Sequence, residues 1–146
     1  MRNNQKITRV QLNIDQNEEV ILIGIVSADP DYKLSLALNR KFGISLKNIS
    51  PLLVSDDTLA ELNFSRFSDI SKSPDIVYTL NSNRSGSNFL IKKLKNVDYI
   101  FHIQYPEKES IIKKITAGLR EMESVNAIFN IDINIIKDKN LQLVIQ

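Results

Sequence analysis

A chain of 146 residues with no cysteine and a single histidine has few places for chemistry to reside. Any nucleophile and base pair must use His102, and no metal site can draw on more than one imidazole. Just upstream, Asp98 and Tyr99 stand side by side, and Asn83-Arg84 leads into a Ser-Gly-Ser-Asn turn at 85–88. Arg84 can present a bidentate fork to a carboxylate or phosphate, Asp98 can orient a substrate, and His102 can serve as a general base. An enzymatic reading therefore needs a concave pocket that gathers Arg84, Asp98 and His102.

Each of the three also has a plainer explanation, and the plainer one is favoured. His102 fits a half-buried or surface histidine on the outer face of a strand. Asp98 fits a strand-end residue that satisfies a backbone amide, and Arg84 a salt bridge within the fold. Ser85-Gly86-Ser87 has too few glycines, and no Lys-Ser/Thr sequel, to be a phosphate loop. Asp56-Asp57 belongs to a polar loop, and Glu107 and Glu109 to a helix start where acids are expected, so neither pair implies an acid and base of separated pKa. The sequence carries no cofactor motif, and neither a catalytic residue nor a metal ligand is assigned from it.

These residues must be held by a scaffold that composition makes ordinary. The chain is 42% hydrophobic and 25% charged, close to the average for soluble domains. At this length roughly 70% of the unfolded surface can be buried, so one domain spanning 1–146 needs no staple. Nineteen basic against seventeen acidic residues leave a formal charge of +2, too balanced to argue for nucleic acid. The abundance of Lys, Asn and Ile is also what AT-rich codons give, which lowers the weight of any lysine cluster. The longest apolar run, Val20 to Val26, is far short of the roughly 20 residues of a membrane helix. No apolar leader with a cleavage site opens the chain, and the expectation is a cytoplasmic protein without a membrane partner.

Val10, Leu12 and Ile14 alternate with polar residues, predicting a strand with one wet face, and Asp15 to Glu18 a turn. Val20 to Val26, apolar on both faces, reads as a central strand paired back on the first, with Gly24 marking a close approach. Asp29 as cap, Pro30 at the first position and Asp31 predict a helix over about 30–42, with Leu34, Ala37, Leu38 and Phe42 on one face and Gly43 closing it. From Ile44 to Val54 the pattern is mixed, and Pro51 argues for an edge strand or loop. Segments 62–70 and 76–80 form a hairpin, and Val97 to Tyr105 a strand with Tyr99, Phe101, Ile103 and Tyr105 on one face and Ile100, His102 and Gln104 on the other. Pro106, Glu107 and Glu109 open a second helix whose stripe is Ile111, Ile112, Ile115, Leu119 and Met122, with Gly118 requiring a tight neighbour. Residues 125–145 fit either a hairpin turned at 137–140 or a strand, a helical turn begun at Asp132 and a final strand. The fold expected is α+β, an antiparallel sheet of about five to seven strands with two main helices packed on one face.

Ile91, followed after five residues by Val97-Asp98-Tyr99, resembles the signature of the IPExxxVDY family of small bacterial proteins. Leu22-Ile23-Gly24-Ile25, Asp31 to Leu34 and Leu38-Asn39 are similar to that family's amino-terminal block, and Leu80 to Arg84 to its central one. Where the name-giving Pro-Glu should stand, this chain has Lys92-Lys93, which reverses the charge of the glutamate. The resemblance implies no particular reaction. The leading expectation is thus a non-enzymatic binding or adaptor module for a protein partner, with Asn83, Arg84, Lys92, Lys93, Lys95 and Asp98 as candidate contact residues. The alternative is RNA binding, with Arg84, Lys92, Lys93 and Lys95 on phosphates and Tyr99, Phe101 or Tyr105 stacking bases.

Overall fold

The computed structural model describes residues 20–55, 58–104 and 108–145. Its elements are β1 (Val20–Val26), α1 (Asp31–Phe42), β2 (Lys47–Ser55), β3 (Glu61–Asp69), β4 (Val77–Ser82), β5 (Arg84–Ser85), β6 (Asn88–Phe89), β7 (Tyr99–Gln104), α2 (Lys108–Arg120), β8 (Ala127–Asn130) and α3 (Leu141–Ile145). Six strands form one sheet in the order β2-β3-β4-β7-β1-β8, every neighbour antiparallel, and β5 and β6 form a separate ribbon. This is the α+β architecture that the alternating strands and two amphipathic helices require.

β1 is apolar on both faces because both faces are covered. Ile21, Ile23 and Ile25 join Tyr78, Leu80, Phe101 and Ile103 on the first face, where Leu34 and Leu38 of α1 and Ile115 and Leu119 of α2 close over them. The Tyr78 and Phe101 rings lie nearly parallel there, centroids 6.0 Å apart. Leu22, Ile100 and Phe64 point the other way and are covered by Leu90, Ile91 and Val97 and by Leu141 and Val144 of α3. β1 pairs with β7 on one side and β8 on the other; its expected partner, the segment Val10 to Ile14, lies outside the described residues. So do the turn at 15–18, Asp56-Asp57, Tyr105, Pro106 and Glu107.

Both glycine expectations are met. A Cβ on Gly24 would lie 2.9 Å from Val97 Cγ2, and one on Gly118 would lie 2.5 Å from a Phe42 ring carbon. Gly43 ends α1 in the left-handed conformation at φ 63°, its N–H donating to Asn39 O. The cap of α1 differs from expectation: Pro30, not Asp29, is the capping residue and supplies no side-chain acceptor. Asp29 instead lies 3.6 Å from Lys33 Nζ, a partly exposed i,i+4 pair. β2 runs through Pro51 as an outer strand whose register breaks between Ile49 and Leu52.

The carboxy-terminal region matches neither of its two expected forms. A helical turn does begin at Asp132, whose carbonyl accepts the Ile135 and Ile136 N–H groups. The last piece, however, is a helix rather than a strand, and it buries Leu141 and Val144, three residues apart, on the second face.

Candidate functional site

Asn83 is the hub around which the expected contact residues are arranged, and it is fully buried. It sits between β4 and β5, where its backbone N–H donates to Asp98 O and its carbonyl accepts from Leu90 N–H. The side-chain Nδ2 donates to Leu94 O and Val97 O at 2.8 and 2.9 Å, and Oδ1 accepts the Ile91 N–H at 2.8 Å. One amide thus stitches down the whole 90–98 loop, satisfying backbone groups that the apolar second core would otherwise leave unpaired. Asn83 is therefore a structural residue and not a surface contact.

Asp98 and Arg84 complete the stitch. Asp98 Oδ2 accepts the Ser27 N–H at 2.9 Å just beyond the end of β1, and Oδ1 accepts from Arg84 Nε. The guanidinium also lies 4.9 Å from the Phe89 ring centroid. Tyr99 donates its hydroxyl to Asp29 O at 2.6 Å, and burial, followed by the nearby Asp31, Asp98 and Asp29, pushes its pKa up to about 12. The blocks that carry the family resemblance therefore converge in space. Gly24 makes room for Val97, Asn83 binds the 91–97 loop, and Asp98 ties that loop to β1 and β5. Each of these residues is explained by what it holds in place.

His102 is not the surface or half-buried residue expected of an outer sheet face, because that face is covered. It is 4% exposed, opposite Leu22 on β1 and Thr79 on β4, and its buried Nε2 has no hydrogen-bond partner among the described residues. Burial alone lowers its pKa to about 4. It stands four positions along the chain from Asp98, about 13 Å at 3.3 Å per residue, and does not line a pocket with Arg84 and Asp98 among the described residues. No group of three His, Asp or Glu side chains suited to a metal occurs among the described residues. No helix among them is long and apolar enough to cross a membrane.

Two concave surfaces among the described residues border the 90–98 loop. The first, about 470 Å³, lies between the β5–β6 ribbon, the β2–β3 pair and the turn before α3; Lys92, Lys137 and Lys139 line it with Phe89, Val54 and Leu62. Of the expected contact residues only Lys92 reaches it, while Lys93 and Lys95 stand exposed elsewhere on the loop. The second is an apolar groove of about 280 Å³ lined by Leu94, Val97, Phe129, Ile131, Ile135 and Ile136. Phe129 on β8 is 43% exposed and Ile135 beside it 69%. The isolated signals of β8 and of 131–136 gave no hint of this groove, because it is made of side chains from three separate segments. No protein-family profile, no characterised protein and no solved structure matches this chain.

Proposed function

We propose a non-enzymatic binding module that takes a protein partner along the flank formed by β8 and the groove behind it. The observation that carries this reading is the pairing of a large exposed aromatic, Phe129, and an exposed Ile135 with an outermost strand whose far side has no partner among the described residues. An unpaired strand offers main-chain donors and acceptors, and neighbouring apolar pockets take alternate side chains of an added segment. Leu94, which lines the groove, lies between the expected contact residues Lys93 and Lys95.

The RNA reading is less well supported, since Tyr99 and Phe101, two of the three rings expected to stack bases, are buried under the helices, and the third, Tyr105, lies outside the described residues. The enzymatic reading loses its own, with His102 enclosed and Arg84 engaged by Asp98. Membership of the IPExxxVDY family is part of the proposal. It is supported by the convergence of Gly24, Asn83, Val97 and Asp98, which makes the resembling blocks a folding device rather than a reactive one.

The test is affinity capture from native extract with wild type, a Phe129→Asp/Ile135→Asp double variant and an Ile70→Asp control, Ile70 being an exposed residue that lines neither concave surface. A stoichiometric protein kept by wild type and control but lost by the double variant is expected. Equal capture by all three, or no stoichiometric partner, overturns the reading.

A further inference from the structure

The cleft at Lys92 is a different surface from the β8 flank, and its lining divides into two chemical halves. Val54, Leu62 and Phe89 give it an apolar wall. Lys92, Lys137 and Lys139 give it three ammonium groups, and none of the three forms an ion pair with another described residue. Asp138 is the one carboxylate among the described lining residues, and both of its oxygens are committed to backbone: Oδ2 accepts the Lys92 N–H at 3.2 Å and Oδ1 the Asn140 N–H at 2.8 Å. The first of these bonds brings Lys92, from the 90–98 loop, beside Lys137 and Lys139, 45 and more residues later in the sequence, so the cluster is built by the fold and not by a run of charge.

Asn140 adds a positioned polar group. It is 7% exposed, its Nδ2 donates to Leu90 O at 2.8 Å, and its Oδ1 takes no hydrogen bond from another described residue. It can therefore accept from a hydroxyl or amino group of a ligand. The volume, about 470 Å³, falls within the range that small-molecule sites occupy.

We propose that this cleft binds a phosphorylated small molecule with an apolar or aromatic body, the chemistry of a nucleotide: phosphates on Lys92, Lys137 and Lys139, and the body against Phe89, Val54 and Leu62. A bare polyanion would use only half of the lining, and a nucleic-acid strand would need an extended row of stacking surfaces that the buried Tyr99 and Phe101 do not supply.

Calorimetric titration of the full chain with ADP, adenosine and inorganic pyrophosphate tests this. ADP is expected to bind at least about tenfold more tightly than either fragment, as a ligand using both halves must. Lys137→Glu and Lys139→Glu, surface changes that leave the circular dichroism spectrum intact, are each expected to weaken ADP by about tenfold or more, and Lys93→Glu, outside the cleft, to leave it unchanged. Absence of ADP binding at about 1 mM, pyrophosphate binding as tightly as ADP, or equal losses in Lys93→Glu and Lys137→Glu overturns the proposal.

Discussion

Gly24 and Val97 are matched as socket and plug: the missing side chain at the middle of β1 is the space that the Val97 methyl groups occupy, Cγ2 and Cγ1 lying 2.9 and 3.2 Å from where a Cβ would stand. Val97 is 1% exposed and stiff at χ1, so it cannot turn aside cheaply. Gly24→Ala is expected to destabilise by about 1–3 kcal/mol, as overpacking of a fitted core does. Adding Val97→Ala should recover part of that loss, so that urea unfolding of the two single variants and the double variant gives a coupling energy of the sign that marks relieved overlap.

Asn83 should be among the least replaceable residues in the chain. Asn83→Ala removes the partners of three buried backbone groups, on Ile91, Leu94 and Val97. At about 1–3 kcal/mol for each group left unsatisfied, a loss of at least about 3 kcal/mol is expected in chemical denaturation. Asn83→Asp should fare little better, because a carboxylate cannot donate to the Leu94 and Val97 carbonyls.

Asp98 and Arg84 should differ in weight although they form one ion pair. Asp98 is the more enclosed, its side chain 17% exposed against 47% for Arg84, and it also holds the Ser27 N–H. Asp98→Ala is expected to cost about 1–3 kcal/mol and Arg84→Ala less than about 1 kcal/mol. Asp98→Asn keeps an acceptor for Ser27 and should lie between them.

His102 predicts an acid-sensitive fold. The folded state holds the imidazole at a pKa of about 4, below the ordinary value of 6.5, so the unfolded chain binds the proton more readily. Stability is unaffected by this group above about pH 6.5 and falls as pH drops from there toward 4, by up to about 3 kcal/mol at 1.36 kcal/mol per pKa unit. His102→Leu should remove that slope and, since it also removes the unpartnered Nε2, leave stability at pH 7 within about 1 kcal/mol of wild type. Denaturation midpoints at pH 7, 5.5 and 4.5 for both proteins decide it.

What could be seen in advance follows from how local each signal is. The stripes of α1 and α2, the faces of β7 and the hairpin of β3 and β4 depend on spacing within a single segment, and the structure shows them. The tight neighbours of Gly24 and Gly118 were visible because a glycine inside a regular element needs a reason, although nothing in the sequence said that the neighbours would be Val97 and Phe42. The burial of His102 was not visible, because alternation shows that a residue faces away from the helices but not that a loop and a third helix cover that side. The role of Asn83, and the approach of Lys92 to the 137–140 turn, were hidden for a related reason: each depends on bonds to another segment, 8 to 14 residues on for Asn83 and 46 for the Lys92 N–H.

The two flanks of the sheet are not equivalent. At β2, Pro51 supplies no N–H and the register slips between Ile49 and Leu52, so a foreign chain cannot lay a continuous ladder there. Recruitment of a strand from outside would thereby be one-directional. An addition at the opposite flank would find no complementary landing place on the next molecule's β2, and growth would stop after one step instead of running on into a fibre.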